Sequence, residues 1–230
     1  MKYDDFENIV SAERLNRYLD ACNGDKRKAQ TLYRCNLVAS EAMLSVVSCF
    51  EVALRNAIDK HLSASLGSDW LRDSVMRGGI FDIPILRKTH DIINNAYHRV
   101  ERDAGYTHSK LLAEMEFGIW KYMFSPVQYR QTGRNLLHIF PNKPRSSREA
   151  QYNQTTIFNE LDKVNSLRNR IAHHEPICFI TGTAVFDTSY IEASYSKILT
   201  LMDWLGIDAK SYLYGLDHVK QACNKINSLK

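Results

Sequence analysis

Apolar residues recur at intervals of three, four and seven along most of the chain, the spacing that places side chains on one face of an α-helix. The longest run extends from about Lys26 to Leu66 and contains neither Gly nor Pro. It predicts one long helix or two nearly continuous ones, with an apolar stripe of Leu37, Leu44, Val47, Leu54, Ile58 and Leu62. Shorter helices are predicted at about 11–22, 84–104, 108–124, 129–139, 148–174, 188–205 and 208–227.

Local signals mark several helix ends. Ser11 and Thr107 are suited to cap helix N-termini, and Pro176 disfavours helical geometry at Glu175, so the preceding helix must end at residues 173–174. Residues 177–180 form the one strand-like run, which has no partner strand. The pattern therefore predicts an all-α fold, a helical bundle that forms a single domain over residues 1–230.

Composition narrows the class of protein. A chain of 230 residues with 44% hydrophobic and 24% charged side chains can form a core, which excludes a disordered or low-complexity protein. The five cysteines are odd in number and form no CxxC pair, so we expect free thiols of a reducing cytosol. No apolar signal core follows Met1, and no stretch approaches the ~20 apolar residues that span a bilayer. These features favour a cytoplasmic protein with no membrane partner.

Positive charge is concentrated in one part of the chain. Residues 1–125 hold 17 basic and 17 acidic side chains and residues 176–230 hold five of each, whereas residues 126–175 hold eight basic and four acidic ones. Between Glu116 and Glu149 there is no acidic residue, and that stretch includes Lys121, Arg145 and Arg148. A local basic surface attracts phosphate-bearing partners, although a solvated loop explains the same charges.

Residues 166–176 combine arginines and histidines at a helix end. An imidazole near neutral pH can accept and donate protons, and a guanidinium binds phosphate through charge-assisted hydrogen bonds. Arg168 and His173 without a carboxylate cluster suggest metal-independent cleavage of a phosphodiester, with the 2′-hydroxyl of RNA as internal nucleophile. The plainer interpretation is a polar helix end in which Arg168 pairs with an acid such as Glu175, and spacing alone does not exclude it.

Several segments resemble one known family. Residues 168–173 resemble the R-N-x-x-x-H signature of the HEPN superfamily, and residues 174–176 resemble its continuation in the Abi-like branch, the bacterial abortive-infection proteins related to AbiD and AbiF. Residues 50–58 resemble the E-x-x-L-R-N helix of that branch, and residues 115–120 resemble its S-F-G-x-W element, with Glu116 at the usual Ser position. The resemblance covers about residues 10–205.

The resemblance implies a HEPN-type helical bundle with extra helices. It implies a metal-independent endoribonuclease of an abortive-infection or toxin-type phage-defence system, which leaves a 2′,3′-cyclic phosphate and uses no cofactor. Arg168 and His173 would be the catalytic pair, Asn169 would contact or orient the scissile phosphate, and Arg170 and His174 would be auxiliary phosphate contacts. The family also implies a homodimer, and an RNA or protein antitoxin is a further partner of this class.

Two other sets of residues are candidates for the same function. Glu51 and Arg55 lie one helical turn apart, either as a surface ion pair or as a buried polar pair lining the cleft. Arg145 and Arg148 are interpreted as a surface that follows the RNA backbone. The alternatives to an active enzyme are a catalytically inactive RNA- or antitoxin-binding module on the same fold, and an interaction protein with no nucleic-acid role.

Overall fold

The computed structural model describes the backbone of residues 1–230 and every side chain except that of residue 104. The described chain forms twelve α-helices and two 3₁₀-helices, with one isolated antiparallel bridge between Phe179 and Phe186. The predicted all-α fold is therefore confirmed. The strand-like run over residues 177–180 contains Phe179, one of the two bridge residues, and forms no sheet.

The helices follow the predicted periodicity along the first half of the chain, but the helix predicted over 108–124 is divided into two because residues 114–116 are not helical. Ser11 and Thr107 cap their helices as predicted, since their side chains accept hydrogen bonds from the backbone N–H groups of Arg14 and Lys110. The α-helices are α1 (Tyr3–Val10), α2 (Ala12–Ala21), α3 (Lys26–Leu66), α4 (Trp70–Asp73), α5 (Arg87–Ala104), α6 (His108–Ala113), α7 (Phe117–Tyr122), α8 (Pro126–Gln131), α9 (Gln154–Ala172), α10 (Ser189–Trp204), α11 (Ala209–Tyr212) and α12 (Val219–Asn227). The 3₁₀-helices are Pro84–Leu86 and Leu136–Ile139.

The predicted boundaries differ from the structure where the chain turns. The helix predicted over 129–139 is interrupted at Gly133, which has a φ of 89°, and the one predicted over 208–227 divides near Gly215, which has a φ of 77°. Such positive values suit glycine and end helical geometry. Helix α9 begins six residues later than predicted, at Gln154, where the side chain of the preceding Asn153 accepts the backbone N–H of Thr156 and caps the helix.

The chain divides into two compact units. The first consists of residues 1–49, 166–200 and 209–230, and the second of residues 50–165 and 201–208. Helices α3, α9 and α10 each include residues of both units, and neither unit is a continuous segment of sequence. The single domain over residues 1–230 stays a prediction.

The first unit has a core in which aromatic rings pack edge to face. Tyr18 of α2 contacts Tyr33 of α3 and Phe179, with ring centroids 5.3 Å and 5.0 Å apart. Asn36 is buried, and its Oδ1 accepts the backbone N–H groups of Ile177 and Cys178 at 2.9 Å and 3.3 Å. Through these contacts the chain that leaves α9 is fastened to α3. All five cysteines are free thiols, and burial raises the pKa of the Cys178 thiol to about 12.

The second unit is built around Phe50, Leu54 and Trp120, all of which are fully buried. One of the basic residues counted in the acid-free stretch also lies in this interior. The Lys121 side chain is only 7% exposed and its Nζ is 2.8 Å from Asp162 Oδ1, with the rings of Tyr122 and Phe158 also beside it. Lys121 therefore adds nothing to a basic surface, because an acid from α9 neutralises it.

Helix α3 differs from the predicted pattern in two respects. Val47, Leu54, Ile58 and Leu62 of the predicted stripe are buried, but Leu37 and Leu44 are each 42% exposed. By length and composition α3 is also long and apolar enough to cross a membrane, contrary to the expectation that no stretch would be. Core helices of soluble proteins meet the same criterion, and 39% of the apolar 18-residue stretch of α3 is buried inside the protein.

The ion pair of Lys121 makes a testable prediction about stability. Asp162→Ala should lower the free energy of unfolding by about 1–3 kcal/mol, because it leaves a buried ammonium group without its partner. Lys121→Met should change it by less, since a methionine of similar volume removes the charge that needs compensation. Urea unfolding of the two variants measures the difference. A larger loss in Lys121→Met than in Asp162→Ala would contradict this account.

Candidate active site

Helix α9 ends in a Schellman motif that is built on a histidine. The His174 N–H donates to the carbonyl of Ile171 at 3.0 Å, and the Glu175 N–H donates to the carbonyl of Arg170 at 2.8 Å. His174 has a φ of 56°, in the left-handed region that glycine usually occupies at this position. A residue with a β-carbon is strained there by about 1 kcal/mol. The prediction that the helix ends at the histidines is confirmed.

The predicted catalytic residues lie on this helix end with their side chains available. Arg168 is half-buried, while Asn169 and His173 are exposed. None of these three side chains makes a hydrogen bond or ion pair with another residue that the structure describes. Asn169 and His173 follow one another by one turn of α9, and the His173 N–H donates to the Asn169 carbonyl at 2.9 Å. The site thus presents a guanidinium, an amide and an imidazole from one short stretch of helix.

Arg170 is engaged within the protein. Its Nη2 donates to the carbonyl of Pro176 at 2.6 Å, its Nε is 3.4 Å from Glu175 Oε2, and its guanidinium lies 4.9 Å from the centre of the Tyr190 ring. The acid considered as a partner for Arg168 therefore lies beside Arg170 instead. These contacts hold the residues after the helix against its last turn. The auxiliary phosphate contacts predicted for Arg170 and His174 stay predictions.

Two arginines of α2, which sequence reasoning missed, donate to backbone carbonyls after α9, Arg14 at the turn itself and Arg17 farther along the chain. Arg14 donates from Nη1 to the carbonyl of His174 at 2.9 Å. Arg17 donates to the carbonyls of Thr183 and Ile180 at 2.8 Å and 3.0 Å, and its guanidinium lies 4.4 Å from the centre of the Phe179 ring. Their acceptors are backbone carbonyls about 160 positions away, and no pairing of residue types signals such a contact. The one available signal was the i, i+3 spacing of Arg14 and Arg17, which places both side chains on one face of α2, beside the buried Leu15 and Tyr18.

The polar pair of α3 lies in the second unit. Glu51 and Arg55 are both half-buried and one turn apart, and Arg55 Nε donates to Asn56 Oδ1 at 3.3 Å. Half-burial favours neither the fully exposed ion pair nor the fully buried pair that the sequence left open. Their part in a cleft stays a prediction.

The basic loop before α9 also lies in the second unit, and it is shaped by serines. The Ser147 N–H donates to the carbonyl of Ala150 at 2.8 Å, and Ser147 Oγ donates to Glu149 Oε2 at 2.8 Å, which lowers the pKa of that carboxyl group. Arg145 and Arg148 are exposed, and their side chains make no hydrogen bond or ion pair with the residues that the structure describes. Both guanidinium groups are therefore available to an outside anion.

Comparison of the chain with models of protein families, with curated proteins and with solved structures gives no match. The site is therefore assigned from its own residues and geometry. Among the described side chains, no three His, Cys, Asp or Glu residues are grouped as metal ligands would be. What the helix end does offer is an exposed imidazole for proton transfer beside cationic groups that attract phosphate.

The strained turn makes a prediction about stability. His174→Gly should raise the free energy of unfolding by about 1 kcal/mol, because glycine adopts the left-handed conformation without a steric penalty. Ala172→Gly, two residues earlier but inside α9, should lower it by about 0.5–1 kcal/mol. Chemical denaturation of both variants against the unmodified protein tests the pair. Destabilisation by His174→Gly would show that the imidazole contributes more than the strain costs.

Proposed function

We propose that the protein is a metal-independent endoribonuclease with a HEPN-type helical fold. The observation that carries the proposal is that Arg168, Asn169 and His173 lie within six residues at the end of α9 and make no side-chain hydrogen bond or ion pair with the described residues, while other residues supply the contacts that hold this helix end. Arg170 is bonded within the protein instead, and water solvates exposed side chains at any helix end, so the type and spacing of the three residues support the proposal together with their availability. Here the three residues of the R-N-x-x-x-H pattern remain available for a ligand.

In the proposed reaction His173 removes the proton of a ribose 2′-hydroxyl. The 2′-oxygen attacks phosphorus, the 5′-oxygen leaves and takes up a proton, and the product ends in a 2′,3′-cyclic phosphate. Arg168 stabilises the negative charge that develops on the phosphoryl oxygens, and its half-burial strengthens that interaction relative to one in bulk water. Asn169 donates from its amide to the same phosphate and orients it for attack.

The wider setting is part of the proposal. The exposure of His173 supports a homodimer, because a second copy bringing the same helix end would enclose the scissile phosphate and exclude water from it. We place the enzyme in the cytoplasm, in a toxin-type phage-defence system, with RNA as substrate and an RNA or protein antitoxin as its regulator.

The test of the chemistry is cleavage of total RNA by the purified protein in the presence of EDTA, with analysis of the product ends. His173→Gln and Arg168→Gln should each slow cleavage by at least about 100-fold, the usual contribution of a positioned acid–base group or of charge stabilisation. His173→Gln should retain RNA binding. His98→Gln, which changes an exposed histidine of α5, is the matched control and should cleave normally.

Each other outcome has a defined meaning. Cleavage that requires Mg²⁺, or an unaffected His173→Gln variant, would contradict the proposed mechanism. Binding of RNA by the unmodified protein without cleavage would identify an inactive RNA-binding module. Failure to bind RNA at low salt would exclude a nucleic-acid role.

The basic loop makes a separate prediction about affinity. Combined Arg145→Gln and Arg148→Gln should weaken RNA binding and flatten its salt dependence, with the slope of log K against log salt falling by about 1.4 for two lost contacts to single-stranded RNA. The control combines Lys60→Gln and Lys88→Gln, which remove the same charge from exposed positions of the same unit. Binding measured over a range of salt concentrations separates the two. An equal effect of both pairs of substitutions would show that the loop contributes to RNA binding only through its net charge.

A further inference from the structure

Arg14 and the end of α9 are joined through a single peptide plane. Arg14 Nη1 donates a 2.9 Å hydrogen bond to the carbonyl oxygen of His174. The same peptide unit carries the N–H of Glu175, which donates to the carbonyl of Arg170 and closes the Schellman motif. Because the peptide unit is planar, the two hydrogen bonds fix its orientation from opposite edges. That orientation defines the ψ angle of His174, the residue whose φ of 56° lies in the left-handed region.

The base from which Arg14 reaches the turn is itself ordered. The backbone N–H of Arg14 donates to the side chain of Ser11, which caps α2. The next residue, Leu15, and Tyr18 one turn later are buried in the core of the first unit. The guanidinium therefore starts from a helix whose first turn is capped and whose inner face is packed.

Arg14 and Arg17 donate their side-chain hydrogen bonds to different parts of the chain. Arg17 places two N–H groups on the carbonyls of Ile180 and Thr183 and stacks on Phe179, so it braces the loop well beyond the turn. Arg14 makes one side-chain hydrogen bond to the described residues, and that bond is directed at the turn beside His173. The two residues have the same charge and helix but separate structural targets.

We propose that Arg14 is a positioning residue for His173. By holding the peptide plane between His174 and Glu175, it fixes the last turn of α9 and therefore the point from which the His173 imidazole projects. This inference rests on the proposed function of Arg168 and His173, and it adds a residue on α2 that supports their geometry. Loss of Arg14 allows that plane to rotate, and a displaced base lowers the rate of the chemical step while leaving the phosphate contacts in place.

Three variants test the proposal: Arg14→Gln, Arg14→Lys and, as the matched control, Arg17→Gln. On an RNA that the unmodified protein cleaves, Arg14→Gln should lower kcat by about 10- to 100-fold with KM within about twofold. Arg14→Lys keeps one cationic donor and should recover part of that loss. Arg17→Gln should keep kcat close to that of the unmodified protein. In parallel, hydrogen exchange of the Glu175 amide should become about 10-fold faster in Arg14→Gln and stay unchanged in Arg17→Gln.

The two readouts separate failure of this inference from failure of the proposed function. An unchanged kcat in Arg14→Gln, or unchanged exchange at Glu175, overturns the positioning role. A parallel loss of kcat, RNA affinity and thermal stability without recovery in Arg14→Lys also overturns it, because that pattern marks a residue needed only for folding. If the unmodified protein cleaves no RNA, the proposed function fails, and the exchange rate at Glu175 still decides whether Arg14 holds the turn.

Discussion

The final carbonyl groups of an α-helix have no partner within the helix, and the way in which α9 satisfies them determines the rest of the candidate site. The N–H groups of His173, His174 and Glu175 turn back onto the carbonyls of Asn169, Ile171 and Arg170. This arrangement requires one residue with a left-handed conformation, and that residue is His174. Beyond the turn the next residues reach the core, where the Oδ1 of Asn36 accepts the N–H groups of Ile177 and Cys178.

The choice of histidine at the strained position has a physical consequence. A glycine would form the same two backbone hydrogen bonds without strain, so the turn itself does not need a β-carbon. The strain is sustained because neighbouring groups over-determine the conformation: Arg170 and Glu175 from within the turn, and Arg14 from α2. Ser11, Asn23 and Arg134 also have a positive φ, so the strain at His174 reflects the requirement of the turn and does not by itself mark a functional site.

Local physics made part of this structure predictable. Apolar periodicity and capping residues predicted most of the helices, and Pro176 placed the end of α9 correctly, since these signals depend on residues close in sequence. The division of 208–227 and the exposure of Leu37 and Leu44 were not predicted, because periodicity shows that a face is apolar but not whether the fold covers it. Arg14 and Arg17 were missed for a related reason. Their acceptors are main-chain carbonyls, which every residue carries, so the contact cannot be recognised from the residue types in the sequence.

Counting charges in the sequence overstated the basic surface, and the structure shows which charges remain available. Lys121 is neutralised by Asp162 in the interior, and Arg170 is shared among a carbonyl, a carboxylate and an aromatic ring. Arg145, Arg148 and Arg168 have no such partners among the described residues. In the proposed complex with RNA, only cations that exchange bound counterions for phosphate contribute to the salt dependence of binding, so the number of contacts should follow this smaller set. In that proposed complex, an arginine already hydrogen-bonded to a backbone carbonyl of the protein would shape the site, and one without a protein partner would be available to contact phosphate.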